Sequence, residues 1–241
     1  MDSTNATFFD IIAPHYREIF PIGDAKFAFL KQFAIGGRKV LDLACGGSEL
    51  PEILADSGFD VTAFDSNERL LQMIAHNKGI RIIRGDFKDI DSSSLGQFDT
   101  IFCIGNSLSY AGDMGAFQKL LKDLRVILSP DGHLVTQTIN YDKLVTAGKM
   151  KMPDRIVADA EGDIIFKREY SYHQPAEIIF DTKIIRGQNS FQNIDRFPLL
   201  RSELQMDMMK IAGFTKINIF GDFKDIPFEL DSPAIIIDAS A

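Results

Sequence analysis

The stretch KVLDLACGGSELPEIL, residues 39–54, decides the fold, because it runs from an apolar strand through a glycine-containing turn into a helix. The turn lacks the third glycine of the dinucleotide motif G-x-G-x-x-G and the lysine of a P-loop, and Ser48 stands where a further glycine is expected. Glu49 and Glu52 at the start of the following helix would repel a pyrophosphate, and Asp42 just before the turn adds more negative charge. The turn therefore favours a sulfonium cation over a dinucleotide, and a strand-to-helix turn without any ligand is the structural alternative.

Strand and helix patterns alternate along the chain between residues 36 and 140. The segments KVLDLA, DVTAFD, IRIIRGD, FDTIFCIG and GHLVTQTI read as buried strands with helical segments between them, which is typical of a parallel sheet. Near the end of the chain, TKINIFGDF and SPAIIIDAS are joined too tightly for a crossover helix and predict an antiparallel pair at one sheet edge. The predicted fold is therefore α/β, with a doubly wound, Rossmann-like, seven-stranded sheet that is parallel except at that edge.

Three regions follow from this pattern. Residues 1–35 are predicted to form helices that close over the ligand site, with Asp24 as the cap of the second helix. Residues 36–140 with 201–241 are predicted to form the Rossmann-like domain, in which Asn67 is a possible cap of the helix after the second strand. Residues 140–160 read as a loop. The rest of residues 141–200 contains DIIFKREYSYHQ and EIIFDTKIIRG, whose alternation predicts two paired antiparallel strands. This region is predicted to be a small β-rich insertion that serves as a lid and substrate pocket.

Composition narrows the possible partners. The net charge is −8 and no cluster of lysine or arginine stands out, which disfavours a nucleic-acid partner and favours a small molecule. No apolar run is long enough for a bilayer, and the first residues lack the pattern of a signal peptide. Cys45 and Cys103 are predicted to be reduced thiols, so the cytoplasm is the expected location. The four histidines are scattered, so no metal site is predicted, and a homodimer is left open.

Polar residues follow the predicted strands at the edge where ligands of open α/β sheets bind. Asp65 comes nineteen residues after Gly46, where a carboxylate can accept both hydroxyls of an adenosine ribose; a helix cap is the alternative role. Asp86 and Phe87 could contact the amino group and ring face of an adenine, or serve only the loop and the core. Asn106 follows the fourth strand in a Gly-Asn-Ser turn, which is either part of the same cleft or purely structural.

The ordered segments VLDLACGGS, FDSN, GDF and FDTIFCIGNSLSY resemble those of the class I S-adenosylmethionine-dependent methyltransferases, over roughly residues 8–141. CIGNS and INYDKL are similar to segments of the glycine N-methyltransferase group and its small-molecule relatives. The resemblance implies that S-adenosylmethionine is the cofactor. It further implies that Asp42, Ala44 and Gly46 contact the methionine part of the cofactor and that Tyr16 closes over this end. Asp65 would hold the ribose, and Ser66, Asp86 and Phe87 would contact the adenine. Ile104 would lie near the methyl group, with Asn106 in the same cleft.

The acceptor side is predicted less directly. The resemblance places Tyr110 near the substrate, and Tyr141, Arg168, Tyr170 and Tyr172 form a polar aromatic set in or next to the insertion. The last three share one face of a strand because side chains alternate with a period of two. The alternative is that this face is the solvated side of an edge hairpin. No catalytic general base is predicted.

The sequence departs from the family at three points. Ser48 replaces the last glycine of the first turn, which predicts a modestly altered backbone there. IGNS, residues 104–107, stands in place of the Asn/Asp-Pro-Pro-Tyr motif used on exocyclic base amines, which argues against a nucleic-acid base as acceptor. No arginine matches one that would hold a substrate carboxylate, so glycine itself is not supported as the acceptor.

The predicted function is in-line transfer of a methyl group from S-adenosylmethionine to a nitrogen or oxygen of a small molecule. A nicotinamide-dependent dehydrogenase is the enzymatic alternative, but it needs a pyrophosphate-binding motif that ACGGSELP does not supply. A non-catalytic regulator that binds S-adenosylmethionine is the second alternative.

Overall fold

The computed structural model describes residues 3–34, 38–90, 92–160 and 162–240. Its main sheet has seven strands in the order β11-β12-β5-β4-β1-β2-β3. The strands are β1 (Lys39–Leu43), β2 (Asp60–Asp65), β3 (Arg81–Arg84), β4 (Phe98–Cys103), β5 (Leu128–Ile139), β11 (Lys216–Phe220) and β12 (Ala234–Ser240). The first five strands pair in parallel, whereas β12 is antiparallel to both β5 and β11. The predicted doubly wound sheet with an antiparallel edge pair is thus confirmed.

Helices cover both faces of this sheet. They are α1 (Ser3–Ile12), α2 (Tyr16–Ile19), α3 (Gly23–Lys31), α4 (Leu50–Asp56), α5 (Glu68–Leu71), α6 (Ser92–Leu95), α7 (Met114–Ile127), α8 (Tyr141–Ala147) and α9 (Ser202–Ala212). The apolar side of α7 packs Phe117, Leu120, Leu121 and Leu124 into the core, because these residues recur at helical spacing. No helix within the described ranges is long and apolar enough to cross a membrane.

Two helix starts test the predicted caps. The Asn67 side chain accepts a hydrogen bond from the N–H of Leu70, so this predicted cap is confirmed, although α5 is only four residues long. Asp24 was the expected cap of the second N-terminal helix, but α3 begins at Gly23 and Asp24 lies inside its first turn. An aspartate in the first turn still interacts favourably with the positive end of the helix dipole.

A second, antiparallel sheet lies between α8 and α9 in sequence. Its strands are β6 (Lys149–Lys151), β7 (Arg155–Val157), β8 (Ile164–His173), β9 (Glu177–Arg186) and β10 (Asn189–Pro198). The prediction of two paired strands captured β8 and β9 but missed β10, where several polar residues are exposed on one side. The segment 140–160 was expected to be a loop, yet it contains α8 and two short strands that pair with β8.

The N-terminal helices pack on this second sheet. Phe8, Ile12 and Ile19 form one buried apolar cluster with Val157, Ile164, Phe166 and Ile184 of the sheet. The Phe8 ring lies 5.8 Å from that of Phe166, which is within the range of favourable aromatic contacts. This cluster joins two regions that are far apart in sequence and places them together over the carboxyl ends of the parallel strands. The predicted boundary at residues 35 and 36 lies outside the described residues.

Candidate functional site

A cavity of about 330 Å³ lies at the carboxyl ends of β1, β2 and β4, beneath the N-terminal helices and the second sheet. This is where the topology of an open α/β sheet predicts a ligand. Of the ten residues predicted to contact a cofactor, nine line it: Tyr16, Asp42, Ala44, Gly46, Asp65, Ser66, Phe87, Ile104 and Asn106. Residues from four separate strand ends are therefore brought to one space.

The turn after β1 has two residues in the left-handed region. Gly46 has φ of 58° and Ala44 has φ of 56°, so the strained non-glycine residue of this turn is Ala44. Ser48 is not among the described non-glycine residues with positive φ, and its Oγ accepts a hydrogen bond from the N–H of Leu50 at 3.1 Å. The backbone change expected at Ser48 is thus not a left-handed conformation. Its side chain instead accepts the N–H of Leu50, the first residue of α4.

Asp65 connects two strand ends through its carboxylate. Oδ2 accepts the N–H of Gly46 at 2.8 Å, and Oδ1 accepts the N–H of Asn67 at 2.8 Å. Burial raises the pKa of Asp65, and the backbone hydrogen bonds that it accepts offset only part of this effect. A carboxylate offers about four acceptor sites, so Asp65 can fix the turn and still accept a ligand hydroxyl.

Asp42 presents an unsatisfied acceptor at the cavity. Its side chain is 2% exposed, and its Oδ2 atom has no hydrogen-bond partner among the described residues. Burial, together with the negative charge of Asp65, raises the pKa of Asp42 to about 8. A buried acceptor without a partner is costly, so this atom suits a ligand that brings a positive charge or a hydrogen-bond donor.

The raised pKa of Asp42 predicts a pH-dependent stability. The folded state binds a proton on the Asp42 carboxylate more tightly than the unfolded state, in which an aspartate has a pKa of about 3.9. The contribution of this protonation to the free energy of unfolding is therefore fully present below about pH 4. It is lost as the pH rises to 8, by at most about 1.4 kcal/mol per pH unit. Urea unfolding at pH 5 and pH 8 should show that Asp42→Asn flattens this decline. Asp60→Asn, an exposed change on β2, should not; equal pH profiles for the wild type and Asp42→Asn would contradict the assignment.

Asp86 is the one predicted cofactor residue that does not line the cavity. Its Oδ1 accepts the N–H of Lys88 at 3.0 Å, and its Oδ2 lies 3.3 Å from Lys88 Nζ. The side chain thus caps the short 3₁₀ turn 87–89, which is the common role of an aspartate in a loop. The neighbouring Phe87 is buried and does line the cavity.

The structure places only some of the residues predicted to contact the acceptor at the cavity. Tyr110, Arg168 and Tyr170 line the cavity, whereas Tyr141 and Tyr172 do not. Tyr141 is fully buried on α8, and its hydroxyl lies 2.6 Å from Ser109 Oγ.

Tyr172 lies near the end of β8, outside the cavity. Its hydroxyl donates to the carbonyl of Pro175 at 2.9 Å, near the tip of the hairpin. Tyr172 does lie two residues beyond Tyr170 on the same strand, but the cavity ends before it. The period of two therefore gave the shared face correctly and could not give its extent.

The residues that do line the acceptor side form a mixed aromatic and polar wall. Tyr170 stacks on Phe180 with ring centroids 4.2 Å apart, and the Tyr110 hydroxyl donates to Asp195 Oδ2 at 3.0 Å. Tyr170 is 4% exposed, so this strand face is not the solvated surface of a hairpin. Burial raises the pKa values of Tyr110 and Tyr170, so both hydroxyls stay protonated at neutral pH.

Arg17 was not singled out from the sequence, yet it joins α2 to the turn after β1. Its guanidinium donates to the carbonyls of Gly47 at 3.0 Å and Met73 at 2.8 Å, and to both carboxylate oxygens of Glu52 at 2.8 and 3.0 Å. Burial raises the pKa of Glu52, but hydrogen bonds from Arg17 and Ala75 outweigh it and lower the pKa overall. Glu52, expected to repel a ligand phosphate, is thus neutralised and does not line the cavity.

We expect Arg17→Ala to lower the free energy of unfolding by about 2–3 kcal/mol, because it leaves a part-buried carboxylate and two carbonyls unpaired. The measurement is urea denaturation at pH 7. Arg69→Ala is the matched control, because Arg69 donates one 3.4 Å bond at the surface, to the carbonyl of Asp10. Its effect should stay within about 0.5 kcal/mol; equal effects of the two changes would show that the Arg17 contacts contribute little.

Comparison with known proteins identifies related chains. Residues 40–132 match a family model described as a methyltransferase domain. A glycine/sarcosine N-methyltransferase from Parasynechococcus marenigrum is 26% identical over 84% of this chain and 71% of its own length. A glycine/sarcosine/dimethylglycine N-methyltransferase from Actinopolyspora halophila is 24% identical over 80% of this chain, which covers 34% of that relative. The chain thus spans about a third of the Actinopolyspora protein.

Solved structures agree on the fold over nearly the whole chain. The CcbJ methyltransferase from Streptomyces caelestis superposes with a TM-score of 0.78 at 21% identity, covering 98% of both chains. A S-adenosylmethionine-bound amino pentose methyltransferase from Micromonospora echinaspora gives 0.67 at 13% identity, covering 96% of this chain and 97% of the other. The second sheet is therefore part of a fold shared with these proteins.

Proposed function

Because the chain belongs to the class I S-adenosylmethionine-dependent methyltransferase family, similar to its glycine N-methyltransferase-like members, we propose that it methylates a nitrogen or oxygen of a small molecule. The observation that carries the proposal is one continuous cavity, from Asp42, Gly46 and Asp65 on the main sheet to Arg168 and Tyr170 on the second. A cofactor on the strand ends and an acceptor under the second sheet would meet inside it. The N-methyltransferase names of several relatives support nitrogen.

The residues at the strand ends fit S-adenosylmethionine. A Cβ at Gly46 would lie 2.3 Å from the Tyr16 hydroxyl, so only glycine leaves room between the turn and this ring. The unpartnered Oδ2 of Asp42 suits the cationic methionine part, and Asp65 suits the ribose hydroxyls. We propose that Phe87 and Ser66 contact the adenine.

The bound cofactor supplies a methyl group that its sulfonium has already activated, so the chain's task is to hold the acceptor in line and to exclude water. Positioning two reactants in this way can lower a barrier by roughly 7–11 kcal/mol. We propose that Arg168 and Tyr170 on the second sheet and Tyr110 in the turn after β4 contact the acceptor. The second sheet with the N-terminal helices serves as the cover, because their shared apolar cluster closes the cavity on the side opposite the strand ends.

The test is methyl transfer itself. The protein would be incubated with S-adenosylmethionine and a panel of amino acids, amino sugars and small hydroxylated compounds, and S-adenosylhomocysteine formation would be measured. We expect at least one acceptor to raise its formation above the acceptor-free rate, and Tyr170→Ala to reduce this increase at least about tenfold. Binding of S-adenosylhomocysteine without turnover on any acceptor would favour the non-catalytic regulator instead.

The two cysteines bear on where the protein works. Cys45 and Cys103 are both free and buried, and burial raises the pKa of each thiol. Such thiols are inert and suit a reducing compartment. We therefore propose the cytoplasm as the location.

A further inference from the structure

Three cations line the end of the cavity that lies toward the second sheet: Lys26 on α3, Arg155 on β7 and Arg168 on β8. In the sheet register Arg155 lies directly opposite Phe166, and Arg168 is two residues beyond Phe166 on the same strand. Arg155 and Arg168 therefore share one face of the sheet as diagonal neighbours, which lie roughly 7–8 Å apart. We call these three residues the cationic end of the cavity.

Within the described part of the chain, no carboxylate forms a salt bridge with Lys26, Arg155 or Arg168. Lys26 Nζ donates to the carbonyl of Pro21 at 3.3 Å and Arg168 Nη2 to the carbonyl of Pro153 at 3.1 Å, and both acceptors are neutral. The Nε atom of Arg168 is buried and has no hydrogen-bond partner there. The guanidinium of Arg168 is thus only partly solvated, and only some of its N–H groups have a hydrogen-bond partner.

The nearest acidic residue in sequence, Asp154, is directed to other cations. Its carboxylate oxygens lie 3.8 Å from Lys151 Nζ and 3.7 Å from Lys167 Nζ. The rings of Phe20 and Phe166 lie 5.9 and 5.3 Å from the guanidinium carbon of Arg168 and stabilise its faces. Aromatic rings bring no net charge, so they do not replace a carboxylate partner for Arg168.

Burial and mutual repulsion lower the pKa values of two of these cations. Burial lowers the pKa of Lys26, and the charge of Arg155 lowers it further. Burial also lowers the pKa of Arg168, and Arg155 again adds to the effect. The charge of Glu49 raises the pKa of Lys26, and that of Asp154 raises the pKa of Arg168, but both pKa values remain lowered overall. Like charges held together at a cavity wall are stabilised when an anion binds between them.

We propose that the cationic end binds a phosphate or diphosphate group carried by the methyl acceptor. A phosphate monoester carries about −1.5 to −2 charges at pH 7 and several strong acceptor oxygens, so it can engage all three cations. A single carboxylate would leave most of their repulsion in place. The other end of the cavity is lined by Asp42 and Asp65 and, among the described residues, by no lysine or arginine, so the distribution of cations also orients the acceptor.

This inference rests on the proposed function for its meaning, but its test does not. Inorganic pyrophosphate and acetate would each be titrated into the protein by calorimetry at constant ionic strength, with and without S-adenosylhomocysteine. We expect pyrophosphate to bind at least about tenfold more tightly than acetate. We expect Arg168→Gln to weaken pyrophosphate about tenfold, and Arg155→Gln about threefold because its side chain is exposed.

Two further variants complete the design. Lys122→Gln removes the same charge from an exposed site outside the cavity and should leave pyrophosphate binding unchanged. Arg168→Lys keeps the charge and should retain most of the affinity, which separates loss of a cation from loss of the fold. Pyrophosphate binding no tighter than acetate, or arginine variants that behave like Lys122→Gln, would overturn the proposal. Failure of S-adenosylhomocysteine to bind while pyrophosphate behaves as expected would instead contradict the proposed function.

Discussion

Asp65→Ala should weaken cofactor binding by about 100-fold or more. The carboxylate is expected to accept the ribose hydroxyls, and two charge-assisted hydrogen bonds lost together correspond to roughly 3–6 kcal/mol. The change also removes the acceptor that holds the Gly46 and Asn67 amides at 2.8 Å, so the turn that shapes the cavity loosens. The measurement is calorimetric titration with S-adenosylhomocysteine.

Two variants control this prediction. Asp60→Ala lies at the exposed start of the same strand and should leave the affinity unchanged within about twofold. Asp65→Asn keeps the side-chain volume and one acceptor oxygen, so its affinity should fall between those of the wild type and Asp65→Ala. If Asp65→Ala binds as tightly as Asp60→Ala, then Asp65 serves only as a structural cap of the turn.

The second large effect is expected at Gly46. An alanine there would have to adopt φ near 58° and would place its Cβ 2.3 Å from the Tyr16 hydroxyl and 2.6 Å from the ring carbon that carries it. The left-handed conformation alone costs about 1–2 kcal/mol. The clash additionally forces Tyr16 and α2 away from the turn, so we expect Gly46→Ala to bind S-adenosylhomocysteine at least about 50-fold more weakly.

Gly79 offers a matched control, because its φ is 70° and a Cβ there would meet nothing within 4 Å. Gly79→Ala should therefore show the conformational cost in urea denaturation without any loss of affinity. In the Tyr16→Ala background, Gly46→Ala should cause a smaller further loss, because the clashing ring is absent. A loss of affinity in Gly79→Ala equal to that in Gly46→Ala would attribute the effect to general destabilisation.

The sheet could be predicted from sequence because its signals are local. Buried strands of five or six residues, such as β1 and β2, are separated by helical segments, and the strand ends of a parallel sheet must share one edge. That rule brought Asp42, Gly46 and Asp65 together without any tertiary information. It could not distinguish Phe87, which lines the cavity, from Asp86, which caps its own turn, because that choice depends on the backbone geometry of the short 3₁₀ turn 87–89.

The remainder of the site depends on contacts between distant segments. Arg17 acquires its role from Glu52 and Met73, which are 35 and 56 residues away along the chain. Arg155 lies in a segment that was expected to be a loop and becomes part of the cavity only because β7 pairs with β8. Tyr141, in turn, is drawn into the core by its helix, which begins directly after β5. Sequence periodicity carries no signal for any of these placements.

We propose that the strand-end cavity holds S-adenosylmethionine with its reactive methyl group directed at the second sheet. A crystal structure with S-adenosylhomocysteine bound is the most direct test. We expect the ribose hydroxyls on Asp65, the amino-acid part beside Asp42 and Gly46, and the sulfur facing the wall of Tyr110 and Tyr170. Electron density for the ligand elsewhere, or a sulfur directed away from that wall, would contradict it.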